Sequence, residues 1–231
     1  VWVVLNFISG ILFAVGAPLE AGLSMFIADR MPEAAPWLNN EGFKWLVAVI
    51  VALLLLYTIG AFASHFVGMR LIAAIEGYAL AGGFEIALAC DLIVASETAR
   101  MGIPEVKRGL IAGSGGLLRL PRRIPPAIAM ELALTGDLIH APQAHQWGLV
   151  NRLVAPGEAL QAALELAKRI VANGPLAVRI TKQLISEAPS WPADEVWTRQ
   201  NALLEQVIAS DDAREGATAF AQKRPPQWRG H

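Results

Sequence analysis

The 231-residue sequence predicts an α/β fold that ends in a layer of helices. From Leu71 onward, short apolar runs alternate with glycine, proline and charged residues, which is typical of strands alternating with helices. From residue 157 onward, apolar residues instead recur at helical spacing, with charges on the opposite face. We therefore divide the chain into an apolar segment (residues 1–70), an α/β core (71–156) and a C-terminal helical region (157–231).

The overall composition narrows the function classes. The chain has 19 Lys and Arg against 20 Asp and Glu, so we exclude a basic nucleic-acid clamp and expect no nucleic-acid partner. Hydrophobic residues make up 55% of the chain, which is enough for a sizeable core and too many for a disordered protein. Cys90 is the only cysteine, so no internal disulfide can form, and we expect a cytoplasmic location.

The first 70 residues are unusually apolar and carry only seven of the 39 charged side chains. Residues 45–69 form a run of 25 without a formal charge, flanked by a lysine and an arginine. About 20 such residues span a bilayer, so we predict a transmembrane helix here and membrane contact through residues 1–69. We interpret residues 1–19 as a second, weaker membrane segment. The alternative is that residues 46–56 form a buried helix or strand of a soluble core.

The α/β core begins with a strand, glycine turn, helix, strand unit. Residues 71–75 form an uninterrupted apolar run that predicts a buried strand ending at Glu76-Gly77. Ala81-Gly82-Gly83 then opens a helix over residues 84–90, and residues 92–95 predict the next strand. A helix that connects two strands in this way is typical of an α/β domain.

The remaining elements follow from turn residues and helical spacing. Residues 100–110 contain a Gly-Ile-Pro-Glu sequence that predicts a loop, and the glycine cluster at 113–116 leads into a helix that ends near residue 120. The further elements are short helices at 128–135 and 141–147, a strand at 149–154, and longer helices at 158–172, 176–187, 193–209 and 213–223. The longer helices make up the C-terminal layer.

The segment from Tyr78 to Glu85 carries the groups most suited to chemistry. In an extended chain Tyr78, Leu80 and Gly82 share one face, and they end at a helix N-terminus. Gly82 has no Cβ, so a ligand can approach its backbone N–H, which lies at the positive end of the helix dipole and suits an oxyanion. Glu85 follows in the first helical turn.

A second carboxylate, Glu105, follows 20 residues later in the predicted loop, and Gly113 offers another backbone N–H. With Glu85, these groups form a candidate site for proton transfer beside a developing negative charge. The alternative is structural, because the helix dipole alone favours a glutamate in a first turn and a loop glutamate is usually solvated. His140 and His145 have no third ligand nearby in sequence, so we predict no metal site.

The chain also has two short basic clusters, Lys107-Arg108 and residues 119–123. Such clusters usually form a solvated surface, although they also bind the phosphate groups of ligands. The sequence leaves both interpretations open.

Five sequence motifs occur in an order and at a spacing that point to one protein family. They are residues 72–91 (IAAIEGYALAGGFEIALACD), 102–110 (GIPEVKRGL), 132–136 (LALTG), 147–151 (WGLVN) and 211–220 (DDAREGATAF). Together they resemble the crotonase superfamily, the enoyl-CoA hydratases and isomerases. The resemblance covers residues 71–228, some two thirds of the chain. It implies a crotonase-like α/β core, in which ββα units form a spiral, followed by the helical layer.

The resemblance implies an acyl-CoA thioester site. Gly82 matches the second donor of the oxyanion hole that stabilises the thioester enolate. Glu85 and Glu105 match the two catalytic glutamates of hydratases, one activating water and the other supplying the α-proton. The implied reaction is hydration of a 2-enoyl-CoA to a 3-hydroxyacyl-CoA, without a cofactor, because coenzyme A is part of the substrate. The alternatives within the family are an isomerase and a dehydratase of another acyl-CoA.

Five further positions match substrate and subunit contacts of that family. Tyr78 and Leu80 match positions that line the acyl and pantetheine channel, and Gly113 matches a backbone donor near the catalytic water. Phe220 and Lys223 match helix positions that reach coenzyme A from a neighbouring subunit. The resemblance therefore implies a homotrimer or a dimer of trimers.

The first 70 residues depart from the family pattern. Family members normally place a longer segment before the strand that matches residues 71–75, and an Ala-Phe-Ser-Ala-Gly-Ala-Asp-like stretch in it supplies the first oxyanion donor. Residues 61–64 (AFAS) resemble part of this stretch, but they lie too near Leu71 and no Ala-Gly-Asp follows. An alternative of a different class is therefore kept, a non-catalytic, truncated or fused crotonase-like protein with a membrane-anchoring leader.

Overall fold

Seven strands and eight α-helices make up the part of the chain that the computed structural model describes, residues 2–5 and 71–230. The strands are β1 (Trp2–Leu5), β2 (Leu71–Ile75), β3 (Tyr78–Leu80), β4 (Leu92–Ser96), β5 (Arg100–Gly102), β6 (Ile139–His140) and β7 (Arg152–Val154). The helices are α1 (Gly82–Ala89), α2 (Gly116–Arg119), α3 (Pro126–Thr135), α4 (Ala141–Gln146), α5 (Ala159–Val171), α6 (Pro175–Glu187), α7 (Val196–Ile208) and α8 (Asp211–Ala221). The described residues fall into two compact units, one ending at Ala163 and the other beginning at Leu164.

The larger sheet of the first unit contains four parallel strands in the order β1-β2-β4-β7. All five residues of β2 are buried, as are the last four of β4. Strands covered on both faces have continuous apolar sequences, which is why the strand predicted at 71–75 is confirmed residue for residue. The strand predicted at 92–95 extends by one residue, to Ser96.

The edge strand β1 shows that the prediction of a weak membrane segment over residues 1–19 is wrong for residues 2–5. The backbone of Trp2–Leu5 pairs in parallel with β2, and Val3 lies opposite Ile72. Apolar and β-branched residues suit a strand as well as a bilayer, so the sequence alone does not distinguish the two. The rest of that segment and the predicted transmembrane run at 45–69 lie outside the described residues. Among the helices that the structure describes, none combines the length and apolar character needed to cross a bilayer.

The smaller sheet, in the order β3-β5-β6, corrects the prediction of a loop over residues 100–110. Arg100–Gly102 forms β5, which is parallel to β3 and antiparallel to β6, and Pro104–Arg108 is a 3₁₀ turn. A Cβ on Gly102 would lie 2.9 Å from Leu138 Cδ2. Gly102 therefore marks close packing of a strand against its neighbour and does not mark a turn.

The core of the first unit joins α1 to both sheets. Its largest fully buried side chains include Phe84, Leu88, Ile93, Met101 and Ile139. Burying a side chain of this size contributes about 1.5–3 kcal/mol. These contacts fix α1 in place, and with it the helix N-terminus where the candidate residues lie.

The strand predicted at 149–154 is shorter in the structure, where β7 begins at Arg152. The first residues of the predicted strand instead form hydrogen bonds with the end of helix α4. The backbone N–H groups of Leu149 and Val150 both donate to the Ala144 carbonyl near the end of α4, at 2.9 and 3.4 Å. Backbone groups engaged in this way satisfy the end of a helix and are not available to a sheet ladder.

In the second unit, α8 begins two residues before the helix predicted at 213–223. Ser210 precedes it as the N-cap, and its side-chain oxygen accepts the N–H of Ala213 at 3.0 Å. Asp211 and Asp212 occupy the first turn, where the helix dipole favours acidic side chains. The helices α5 to α8 agree with the helical character predicted for residues 157–231.

The tail that follows α8 is tied back to that helix by acidic side chains. Glu215 accepts from Arg224 Nη1 at 2.6 Å and Nη2 at 2.9 Å, and from the backbone N–H of Gln227 at 2.7 Å. The hydrogen bond from Arg224 is the largest cause that lowers the pKa of Glu215 to about 2. Asp212 accepts two further N–H groups of the tail, at 2.7 and 3.0 Å.

Candidate active site

The turn before α1 contains a strained alanine, and the N–H of Gly82 follows it at the helix N-terminus. Ala81 has φ 51° and ψ −128°, a backbone region that L-residues seldom adopt. Its N–H donates to the Gly102 carbonyl at 2.9 Å, and its own carbonyl accepts the N–H groups of Phe84 and Glu85 at 2.9 and 3.0 Å. Within the described residues, the N–H of Gly82 meets no acceptor. A backbone donor at a helix N-terminus is suited to hold negative charge on a ligand.

Glu85 is a buried carboxylate held by the glycine loop at residues 113–116. The residue is 2% exposed, and its Oε1 accepts the backbone N–H groups of Ser114 and Gly116, both at 2.8 Å. A Cβ on Gly116 would lie 3.0 Å from Glu85 Cγ and 3.1 Å from Oε1, so the close approach of the loop depends on glycine. Two donors on one oxygen orient the carboxylate, and neither of them occupies Oε2.

Ser114 and Gly116 are contacts that the sequence does not single out, because they act through backbone N–H groups. The candidate taken from this loop is Gly113, the residue before the first donor. Gly115, between the two donors, has φ 99°, in the left-handed region. Successive N–H groups around a left-handed residue form a concavity that binds an anion, and the Gly-Ser-Gly-Gly sequence is the feature that could have indicated it.

Glu105 is the second predicted carboxylate, and it lies in the 3₁₀ turn close enough to Glu85 to sense its charge. Within the described residues, Glu105 Oε2 is buried without a hydrogen-bond partner. Burial raises the pKa of Glu105 above its ordinary 4.5, a hydrogen bond with its own backbone opposes the rise, and the charge of Glu85 adds to it. A buried, unpaired carboxyl oxygen with a raised pKa is suited to carry a proton.

Two members of the basic cluster at 119–123 bind backbone carbonyls. Arg119 Nη1 donates to the Ser114 carbonyl at 2.9 Å, and Arg123 Nη2 donates to the Cys90 carbonyl at the end of α1. For these two side chains, neither the solvated nor the phosphate-binding interpretation includes a contact with the backbone. Their guanidinium groups instead satisfy the protein's own backbone.

The other predicted substrate residues divide between the two units. Tyr78 and Leu80 lie on β3 with a buried alanine between them, as the predicted shared face requires. Gly113 is exposed at the start of the glycine loop. Phe220 and Lys223 belong to the second unit, where Phe220 is 87% exposed on α8 and Lys223 has φ 53° just after it. All three catalytic candidates lie in the first unit.

The arrangement at the start of α1 combines the groups needed for acid-base chemistry beside a polarised carbonyl. A backbone N–H at a helix N-terminus stabilises developing negative charge. Two neighbouring carboxylates in different environments can divide acid and base roles. Glu85 is hydrogen-bonded at Oε1, whereas Glu105 has a buried oxygen, Oε2, without a hydrogen-bond partner among the described residues. The site is therefore of the class that pairs two carboxylates with an oxyanion donor.

Comparison with known families identifies the family of the chain. The sequence profile described as enoyl-CoA hydratase/isomerase matches residues 65–231. Because this match covers well over half of the chain, the chain belongs to the enoyl-CoA hydratase/isomerase family. The resemblance to the crotonase superfamily is confirmed.

Solved structures of similar sequence share the fold. An enoyl-CoA hydratase from Mycobacterium tuberculosis H37Rv superposes with a TM-score of 0.69 and 61% identity, covering 70% of this chain and 64% of that one. One from Mycobacterium marinum has the same TM-score and identity, covering 70% of this chain and 66% of its own. One from Bacillus anthracis has a TM-score of 0.73 at 37% identity, covering 76% and 69%. The predicted crotonase-like α/β fold is thus confirmed.

Among curated proteins, the carnitinyl-CoA dehydratase of Salmonella arizonae is 44% identical over 164 residues. The alignment covers 69% of this chain and 63% of the relative. The chain therefore spans less than two thirds of the length of that relative. This match supports the family and does not specify the reaction or the substrate of the chain.

Proposed function

We propose that this chain hydrates a 2-enoyl-CoA to a 3-hydroxyacyl-CoA. The carboxylate pair carries the proposal: Glu85 is held by two backbone N–H donors beside Glu105, whose Oε2 is buried without a partner among the described residues. Hydration needs one group that takes a proton from water and one that delivers a proton to the α-carbon. Membership of the enoyl-CoA hydratase/isomerase family supports an acyl-CoA thioester as the substrate.

Glu85 is the base in this reaction. The N–H groups of Ser114 and Gly116 occupy Oε1, so the side chain keeps one orientation and Oε2 receives the proton of the attacking water. As the water oxygen bonds to the β-carbon, the π electrons of the carbon–carbon double bond move through the α-carbon onto the thioester oxygen. The N–H of Gly82 donates to that oxygen as it gains negative charge.

Glu105 is the acid. Burial raises its pKa, so Glu105 holds a proton to higher pH than a solvated glutamate does. It delivers this proton to the α-carbon, and the enolate electrons return to form the new carbon–hydrogen bond and restore the thioester carbonyl. The proton taken up by Glu85 then passes to Glu105 through bound water. The net change is addition of one water across the double bond.

The proposal extends to substrate and subunit contacts. Tyr78 and Leu80 line the acyl and pantetheine channel, and Gly113 donates its N–H near the attacking water. Phe220 and Lys223 contact coenzyme A from the neighbouring subunit of a homotrimer or a dimer of trimers. The high exposure of Phe220 supports this part, because its ring is accessible to a ligand bound by another subunit. No separate cofactor is required.

Dehydration of a 3-hydroxyacyl-CoA is the second candidate. It is supported by the 44% identical relative, which is named a carnitinyl-CoA dehydratase. Because dehydration is the reverse of hydration, the same residues exchange roles: Glu105 removes the α-proton and Glu85 protonates the departing hydroxyl group. Isomerisation, which the family description also includes, typically needs only one acid-base group.

An assay with crotonyl-CoA tests the proposal on the 231-residue chain, with membrane and soluble fractions measured separately. We expect Glu85→Gln and Glu105→Gln to lower kcat by about a hundredfold or more, since each removes a proton-transfer group. Glu97→Gln, which changes an exposed carboxylate of the same unit, should leave kcat unchanged. Unchanged turnover in Glu105→Gln would overturn the assignment.

The products separate the candidate functions. Hydration yields a 3-hydroxyacyl-CoA from the enoyl substrate. If the chain acts mainly as a dehydratase, it should instead convert a functionalised 3-hydroxyacyl-CoA faster than it hydrates crotonyl-CoA. Migration of the double bond without a change in mass indicates isomerisation. A folded chain that turns over none of these substrates would support the non-catalytic alternative.

A further inference from the structure

The Arg119 side chain lies against the glycine loop that holds Glu85. Its Nη1 donates to the Ser114 carbonyl at 2.9 Å. A Cβ built on Gly115 would overlap Nη1, so the guanidinium packs directly on the backbone at Gly115, where φ is 99°. Gly115 therefore provides both the left-handed turn and the space that the guanidinium occupies.

The carbonyl that Arg119 binds lies between the two N–H groups that Glu85 accepts. Ser114 N–H and Gly116 N–H each donate to Glu85 Oε1 at 2.8 Å, and the Ser114 carbonyl belongs to the peptide group between them. The loop is thus held at three consecutive peptide groups. Glu85 binds the outer two and Arg119 binds the middle one, through a charge-assisted hydrogen bond that is stronger than a neutral one.

The neighbouring arginines do not share this arrangement. Arg123 donates to the Cys90 carbonyl at the C-terminal end of α1, away from the glycine loop in sequence. Arg122 is exposed. Contact with the loop is therefore particular to Arg119 among the arginines of this cluster, and Arg122 provides a matched control.

We propose that Arg119 is a positioning residue for the reaction. It fixes the peptide group between Ser114 and Gly115, and through the flanking N–H groups it fixes the orientation of the Glu85 carboxylate. This inference rests on the proposed function, in which Glu85 activates water. A base that departs from its reacting geometry lowers kcat while the affinity for the substrate is retained.

Amide hydrogen exchange tests the loop contact without a substrate. Arg119→Ala should speed exchange of the Ser114 and Gly116 N–H groups by about fivefold or more, because local opening of the loop becomes easier. Arg122→Ala should leave both rates unchanged. If Arg119→Ala does not fold, Arg119→Lys, which retains the charge but loses the planar fork, should give a smaller increase in the same two rates. Exchange rates equal to those of the wild type in the folded Arg119 variant would overturn the proposal.

Steady-state kinetics with crotonyl-CoA tests the consequence for the reaction. Arg119→Ala should lower kcat by about tenfold to a hundredfold and leave KM within about twofold. Arg119→Lys should recover part of the loss, and free guanidinium ion at a non-denaturing concentration should raise kcat of Arg119→Ala but not of Arg122→Ala. A wild-type kcat in Arg119→Ala, or a rise in KM as large as the fall in kcat, would overturn the proposal.

The failure of this inference is distinguishable from failure of the proposed function. Wild-type turnover in Glu85→Gln would remove the proposed role of Glu85, whereas the exchange rates would still report whether Arg119 holds the loop. Loss of turnover in Glu85→Gln together with a wild-type kcat in Arg119→Ala would overturn only the role of Arg119.

Discussion

The backbone N–H of Gly116 lies 2.8 Å from Glu85 Oε1, and the approach depends on the missing side chain at residue 116. A Cβ there would lie 3.0 Å from Glu85 Cγ, closer than ordinary van der Waals contact. Gly116→Ala should therefore displace the carboxylate by a few tenths of an ångström and lower kcat about tenfold or more. Gly77→Ala is the matched control, because no described atom lies within 4 Å of a Cβ at Gly77. Equal kcat values for the two variants with crotonyl-CoA would contradict this role of Gly116.

Ala81→Gly should be far better tolerated than an ordinary alanine-to-glycine change. The backbone angles of Ala81, φ 51° and ψ −128°, strain an alanine by about 1–3 kcal/mol, and glycine relieves this strain. The extra freedom of glycine in the unfolded chain offsets about 0.4–1 kcal/mol of that gain. Ala217→Gly, at an exposed position within α8, should instead lower the free energy of unfolding by about 1 kcal/mol. Chemical denaturation measures both, and an equal loss at the two positions would refute the strain at Ala81.

Glu105→Gln should gain stability relative to the wild type as the pH rises. Because the folded pKa of Glu105 is raised above 4.5, the folded protein keeps this proton to higher pH than the unfolded chain does. The wild type therefore loses free energy of unfolding as the pH rises from about 4.5 through the folded pKa, and a glutamine does not contribute this loss. The Tm of the variant minus that of the wild type should be larger at about pH 8 than at about pH 4, independently of the loss of kcat expected for the variant. A Tm difference that does not change with pH would contradict the raised pKa.

Glu215→Gln should weaken the second unit in a pH-dependent way. Its folded pKa is lowered to about 2 by Arg224, so its contribution to stability is present above its ordinary 4.5 and is lost as the pH falls toward 2. The variant should therefore melt below the wild type at neutral pH, and the two should converge in acid. Glu195→Gln, which breaks an exposed pair with Arg199, is the control and should leave Tm nearly unchanged. Equal melting of wild type and Glu215→Gln at neutral pH would exclude a stabilising role for the tail contact.

An element of the fold is predictable from the sequence when its own residues determine it, and it is not predictable when distant residues do. Five consecutive apolar residues bounded by Glu76 and Gly77 are enough to define β2, because all five side chains are buried where they stand. The sequence of Trp2–Leu5 does not by itself specify a strand, because these residues become a strand by pairing with residues far along the chain. An apolar run considered alone fits a bilayer equally well, and the prediction for residues 2–5 was wrong for that reason.

The same distinction applies to the candidate site. Glu85 and Glu105 are visible in the sequence because their side chains carry the chemistry, although their roles stay proposals. The donors at Ser114 and Gly116 could not be chosen, since every residue except proline has a backbone N–H and only the folded loop directs these two toward Oε1. The contact of Arg119 is not predictable either, because its partner is a backbone carbonyl and every residue has one.

The pairing of β1 with β2 has a practical consequence for anyone who shortens this protein. A fragment beginning at Leu71 would retain every candidate site residue, but its β2 would lose the neighbour that covers one edge. The backbone groups of β2 that pair with β1 would then be free, within a strand made entirely of apolar residues. Open apolar edges recruit strands from other molecules. We expect such a fragment to aggregate on refolding, so the four residues of β1 protect the sheet against intermolecular growth.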